Sequence, residues 1–250
     1  MQLENKVAII TGASSGIGEA TALKFAREGA RLVLAARRQD LLQSLAARIV
    51  EAGGHAVVLA GNVKDEAYAS ALVDLSVQTY GRLDIAINNA GTLGDIGPVP
   101  EMSAANWQDV MAINLESAFY GAKYQIPAMV AAGGGSLVFT SSFVGHTIGL
   151  PGMAAYAASK AGLIGLAQCL AVEHGAEGVR ANALLPGGTK TPMAGDDPDY
   201  HAFVANMAAL KRMAQAEEIA DAAAFLASDQ SSFVTGTALI VDGGNSITKT

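Results

Sequence analysis

The stretch TGASSGIG, residues 11–18, closes a short apolar run, VAII at 7–10, with glycines at positions 12, 16 and 18. Glycine lets a chain turn tightly and lets backbone approach a ligand closely. A helix that begins at such a turn offers unpaired N–H groups and the positive end of its dipole to an anion. Strand, glycine turn and helix in that order form the opening unit of a dinucleotide-binding fold, and a pyrophosphate is the anion that unit is built to hold. The spacing is G-x-x-x-G-x-G, not the commoner G-x-G-x-x-G, so the turn takes its meaning from the segments around it.

Those segments alternate. RLVLAA is followed by DLLQSLAARIVEAG, HAVVLAG by AYASALVDLSVQTYG, LDIAINNAG by a long helical stretch from Asn106 to Gly133, and GSLVFTSS by the helical YAASKAGLIGLAQCLAV. VRANALLPGG and TALIVDGG add two more strand-like runs near the end. Parallel strands need crossover connections, so repeated strand–helix alternation predicts an α/β fold: a doubly wound parallel sheet of Rossmann type with helices on both faces. No Pro- or Ser-rich linker divides the chain and no solenoid repeat is present, which predicts one catalytic domain over 1–250. The least regular segment, 187–213, opens with Gly, Pro and Asp and has a weak helical period after Asp199. A loop of that length inside a compact domain reads as a substrate lid carrying one or two small helices.

Composition narrows the function. The 250 residues are 51% hydrophobic and 16% charged, with 28 glycines, which describes a globular chain with a sizeable core. A formal net charge of -7 repels a phosphate backbone and argues against nucleic acid as a partner. Charged or strongly polar residues interrupt the apolar stretches, so no membrane span is expected, and the first ten residues show no basic start or cleavage site. The protein is accordingly read as cytoplasmic. The one cysteine, Cys169, is read as a core thiol, and Trp107 and the methionines as core or pocket lining. His55, His146, His174 and His201 are scattered, with no i, i+4 pair, so no metal site is expected. His146 reads as a surface or loop residue; His201, within the lid, is placed to touch substrate.

The second strand bears on which nucleotide binds. In this fold an acidic residue at its end bonds a ribose 2′-OH, whereas a nearby Arg accommodates a 2′-phosphate. Here the strand ends at Ala36 and is followed by Arg37 and Arg38. A hydrogen bond to a charged group contributes roughly 1.5–3 kcal/mol, enough to favour NADP(H) over NAD(H) on the order of tenfold or more.

Tyr156, Ser159 and Lys160 are the only functional side chains between Ala154 and Gly162. Positions four apart share a helix face, so Tyr156 and Lys160 point into the same space. That pair also occurs on ordinary solvated helices. With TGASSGIG, NNAG at 88–91, Asn114 in INLESAF, Ser142 in TSSFVG, YAASK at 156–160, PGGTKT at 186–191 and VTG…VDGG near the end, however, the chain resembles a short-chain dehydrogenase/reductase over essentially its whole length.

The resemblance implies a small-molecule carbonyl or alcohol substrate, with Asn114, Ser142, Tyr156 and Lys160 as the catalytic group. Tyr156 would be the general acid/base, its phenol lowered by Lys160. Ser142 would hydrogen-bond the substrate oxygen, with Ser141 as the fallback, and Asn114 would hold a water in a relay to Lys160. The cofactor residues implied are Gly12, Ser14, Ser15, Gly16, Ile17 and Gly18 in the turn, Arg37 and Arg38 after the second strand, and Asn62 and Val63 beside the adenine. Asn89, Ala90 and Gly91, Tyr156 and Lys160 themselves, and Pro186, Gly187, Thr189 and Thr191 complete them. Asn62 stands where many relatives have Asp. The Ser142–Tyr156 spacing is one residue longer than in many relatives, and the extra residue falls in HTIGLPGM, 146–153, at the pocket wall. A homotetramer through the helices around 107–132 and 156–175 is likewise implied. Two other readings stay open. A 3-oxoacyl-carrier-protein reductase would be expected to carry arginines where this chain has Gly133 and Glu177, and a non-catalytic NADPH-sensing protein would be expected to lose part of the catalytic group.

Overall fold

The computed structural model describes residues 1–248. Its nine strands are β1 (Val7–Thr11), β2 (Arg31–Ala36), β3 (His55–Ala60), β4 (Ile85–Asn88), β5 (Gly135–Thr140), β6 (Val179–Pro186), β7 (Thr189–Lys190), β8 (Ala214–Gln215) and β9 (Ala238–Val241). Seven of them make one parallel sheet in the order β3-β2-β1-β4-β5-β6-β9, while β7 and β8 pair with each other outside it. The helices are α1 (Gly16–Arg27), α2 (Gln39–Glu51), α3 (Glu66–Tyr80), α4 (Ala104–Met111), α5 (Ser117–Ala131), α6 (Ala154–His174), α7 (Pro198–Met207) and α8 (Ala216–Ala227).

Both faces of the sheet are covered at its centre, which is why β1, β2 and β4 read as near-continuous apolar runs. Neighbouring residues of β1 serve opposite layers. Ile9 packs with Val33, Phe139 and Leu163 on the side of α3, α5 and α6. Ile10 packs with Leu34, Phe25 and Ile219 on the side of α1, α2 and α8. From β1 the chain winds outward to β2 and β3, then returns to β4 on β1's other edge, where Ile9 sits between Val33 and Ala86. A crevice opens at the carboxyl ends of the strands where the winding reverses, and ligands of open α/β sheets bind there.

Four sequence expectations change. The helical stretch after Asn106 is not one regular helix, because α4 and α5 are joined by a π-turn, Ala112–Glu116. Trp107 is 39% exposed on the outer side of α4 and does not belong to the core. Cys169 is exposed on α6: that helix is apolar all round, so its sequence does not reveal which face turns outward. The run Ala154–Glu177 is also long and apolar enough to cross a bilayer by length and composition. Here it packs against the sheet, with Leu163, Ala167 and Leu170 buried in the core. The lid segment forms β7, a 3₁₀ turn at Pro192–Ala194 and α7; Asp197 caps α7 by accepting from the Asp199 and Tyr200 N–H groups.

Candidate active site

One cleft of about 510 Å³ runs along the carboxyl ends of the strands, from Arg37 and Asn62 at one end to Tyr200 and Phe203 at the other. The glycine turn lines the first of these ends. Gly12 and Gly16 have φ of +68° and +59°, a region that side-chain-bearing residues rarely adopt. A Cβ at position 18 would lie 2.2 Å from the Gly12 carbonyl oxygen, so only glycine lets α1 start this close to the strand. Ser15, at the N-cap of α1, makes no side-chain cap hydrogen bond, leaving first-turn N–H groups of α1 open to the cleft. An uncapped helix start behind a glycine cradle suits a pyrophosphate.

Thr11 ties this turn to the next strand. Its hydroxyl accepts from the N–H groups of Asn89 (3.0 Å) and Ala90 (3.1 Å), while the Asn89 amide donates to the Thr11 carbonyl at 3.1 Å. The motifs TGASSGIG and NNAG are thereby one unit. Across from them Thr191 packs 3.1 Å from where a Gly16 Cβ would lie, and Thr189 donates to the Gly187 carbonyl at 2.9 Å.

At the β2 end the two arginines differ. Arg38 reaches back to donate to the hydroxyls of Ser14 and Ser15, both at 2.9 Å. Arg37 is exposed at the cleft rim and has no hydrogen-bond or ion-pair partner among the described residues. The Asn62 side-chain oxygen accepts from the Lys64 N–H at 3.2 Å, and with Val63 it lines the same end. There Lys64 and Asp109 form an ion pair of 2.7 Å.

Ser142, Tyr156 and Lys160 meet in the middle of the cleft, and Asn114 is buried behind its lining. The π-turn, a form frequent at functional sites, turns Asn114 inward until it is 1% exposed. Its side-chain oxygen accepts from the Thr92 N–H (2.8 Å), and its amide donates to the Thr92 carbonyl and the Ser159 hydroxyl, both at 2.9 Å. Lys160 is buried, donates to the Thr140 carbonyl at 2.6 Å, and lies 5.7 Å from the centre of the Tyr156 ring. Gly91 makes room for this meeting: a Cβ there would approach Lys160 Nζ to 3.2 Å and Asn114 Oδ1 to 3.3 Å.

The two serines separate cleanly. Ser141 donates to the Lys160 carbonyl at 2.7 Å and so anchors α6. Ser142 accepts from the Val144 N–H at 3.1 Å and lines the cleft with the Tyr156 phenol, which it stabilises as the phenolate.

The electrostatics qualify one expectation. Burial raises the Tyr156 phenol above its ordinary value, and Ser142 opposes that rise. Burial also drives Lys160 down to about 8. In the protein alone, therefore, Lys160 does not lower the phenol, because desolvation of the phenolate outweighs an ammonium that is itself desolvated and bonded elsewhere.

Leu150 and Met153, from the segment with the extra residue, face Met193, Tyr200, Phe203 and Met207 of the lid. His201 instead bonds the Gly195 carbonyl at 2.9 Å and His146 is exposed; neither lines the cleft. The sequence assigns no role to Thr11, Thr92, Thr140 or Asn245, although Thr11 and Thr140 each open a quoted motif. It also leaves Ser159 without a role, although a lone hydroxyl among alanines beside Lys160 is a usable sign. No group of three or more metal-ligating side chains occurs among the described residues.

The chain is similar over almost its whole length to known proteins. A family model described as Enoyl-(Acyl carrier protein) reductase matches residues 12–246. Cyclohexanol dehydrogenase of Acinetobacter sp. strain SE19 is 39% identical over 242 residues, covering 97% of this chain and 95% of that protein. The 3-oxoacyl-(acyl-carrier-protein) reductase FabG of Thermotoga maritima is 40% identical over 245 residues, covering 98% and 99%. Among solved structures, carveol dehydrogenase from Mycobacterium avium in complex with NAD superposes with a TM-score of 0.95 at 32% identity, covering 99% of each chain.

Proposed function

Since the chain belongs to the short-chain dehydrogenase/reductase family, we propose that it is an NADP(H)-dependent carbonyl reductase or alcohol dehydrogenase with Tyr156 as its general acid/base. The observation that carries this reading is the meeting of Ser142, Tyr156 and Lys160 beside the glycine cradle in one cleft. When bound, the nicotinamide supplies a hydride to the carbonyl carbon or takes one from the alcohol carbon.

The chain's own residues handle the oxygen and its proton. Ser142 hydrogen-bonds the substrate oxygen, and the Tyr156 hydroxyl gives that oxygen its proton during reduction and removes it during oxidation. The raised phenol keeps Tyr156 protonated at neutral pH, the state reduction requires. Lys160 brings positive charge to the phenolate side of the transfer, and Asn114 fixes the loop at Thr92 that closes the cleft over it. The uncapped start of α1 and the turn from Gly12 to Gly18 would hold the pyrophosphate.

The cofactor's 2′-phosphate is assigned to Arg37, because Arg38 is already engaged with Ser14 and Ser15. The NAD in the carveol dehydrogenase complex makes NAD(H) the competitor to test. Reduction of a 3-oxoacyl thioester is a second reading, favoured by the likeness to the Thermotoga protein. The residues at the corresponding surface oppose it, since Gly133 has no side chain and Glu177 is a carboxylate paired with His174 at 2.6 Å. Exposed Phe119 on α5 and Val172 on α6 support a homotetramer through those helices.

Oxidation of NADPH and of NADH with a panel of ketones, diketones and a 3-oxoacyl thioester tests the reading. Turnover of a ketone with at least about tenfold preference for NADPH is the expected result. Affinities for the two cofactors within about threefold of each other would remove the role given to Arg37.

A further inference from the structure

The two ends of the cleft differ in charge. Its charged side chains are Arg37, Arg38, Lys64, Asp109 and Lys160. The first four stand around the carboxyl ends of β2 and β3 and on α4, and Lys160 is bound to the Thr140 carbonyl beneath Tyr156. Beyond Tyr156 the walls are Leu150 and Met153 on one side and Met193, Tyr200, Phe203 and Met207 on the other, with no ionisable group other than a phenol. Met193 is 50% exposed and Phe203 60% exposed, so their apolar surface is open to whatever enters. Asp196, Asp197 and Asp199, all exposed, lead into α7 at the lid.

We propose, resting on the oxidoreductase reading above, that the substrate is a carbonyl compound or secondary alcohol that is uncharged away from its reacting oxygen. Its body is hydrocarbon, held between the 143–153 segment and the inner face of α7. An ionised carboxylate or phosphate entering this end would lose water and meet no cation. The exposed aspartates at the start of α7, outside the cleft lining, add long-range repulsion. Three methionines and two aromatic rings give an adaptable wall that fits compact hydrocarbon frames of differing shape. The same wall disfavours phosphorylated and CoA-type substrates, whose anionic groups would lie at this end or at its rim.

The test compares cyclohexanone with 4-oxocyclohexanecarboxylate, a pair that differs by one carboxylate across the same ring, using the full chain with NADPH. The expected result is a kcat/KM at least about 100-fold higher for the neutral ketone, expressed in KM. Parity, or preference for the carboxylate, would overturn the proposal and leave the oxidoreductase reading standing. Phe203→Arg, at an exposed position that can accept a long side chain, is expected to narrow the ratio by about tenfold. An unchanged ratio would remove α7 from the substrate wall.

If neither NADPH nor NADH is oxidised with either ring, the oxidoreductase reading fails, and thermal midpoints measured with NADP and each compound then decide the selectivity alone. A rise with the neutral ring only supports the apolar wall. Equal rises with both rings overturn it.

Discussion

The two ends of the cleft are built in different ways. At the glycine turn the shape is fixed by backbone: positive φ at Gly12 and Gly16, a Gly18 that admits no Cβ, and hydrogen bonds from Asn89 and Ala90 to Thr11. At the lid the shape is fixed by side chains standing on short, exposed segments, among them Met193, Tyr200 and Phe203. A backbone-built site recognises what all its ligands share, and a side-chain-built one recognises what distinguishes them. The first should therefore tolerate almost no substitution, whereas the second should accept many with a change of substrate.

The sharpest way to break that comparison is at the point where the two ends meet. Tyr156→Phe is expected to lower kcat by about 10²–10⁴ with NADPH binding retained. Full turnover in that variant would mean another acid serves the reaction. Gly18→Ala comes next: its Cβ clashes with the Gly12 carbonyl, so a loss of about 1–3 kcal/mol in stability is expected together with weaker dinucleotide binding. Denaturant midpoints and NADPH fluorescence titration would read the two effects.

Arg37→Ala should weaken NADPH binding about tenfold and leave NADH nearly unchanged. An equal loss for both cofactors would place Arg37 elsewhere on the dinucleotide. The pH profile of reduction should fall as pH rises through about 8, where buried Lys160 gives up its proton; a flat profile from about pH 6 to about pH 10 would detach Lys160 from the reaction. The smallest effect is expected for Gly149→Ala, in the exposed loop before Leu150, where a Cβ meets nothing within 4 Å. A stability change within about 0.5 kcal/mol would show how differently the same substitution acts at the two positions.

The same contrast separates what the amino-acid sequence reveals from what only the folded chain does. The central strands β1, β2 and β4 are recognisable from their apolar runs, because burial on both faces leaves little room for polar residues. The glycine turn is legible because its need for glycine is conformational. By contrast, the exposure of Cys169 and Trp107 is not legible. α6 is apolar on every side and α4 is short, so hydrophobic period does not mark their outer faces. Ser142 is preferred to Ser141 in the sequence only by resemblance, and the two part physically when the Lys160 carbonyl is found within reach of Ser141. Thr11 and Thr92 act through partners far along the chain, and such pairings leave no local trace.

The π-turn at Ala112–Glu116 has a consequence for chain length. A π-turn holds one residue more than an α-helical path between the same ends, and each residue turns a regular helix by about 100°. α4 and α5 are therefore phased independently, as though a single residue had been inserted between two helices that once formed one. Deleting one residue from this stretch would let a single continuous helix form with its backbone hydrogen bonds complete. The amide of Asn114 would then be rotated away from Thr92 and Ser159, and an intact fold would be left without its inward-facing asparagine. A site can thus be lost by shortening the chain by one residue without removing any of its side chains.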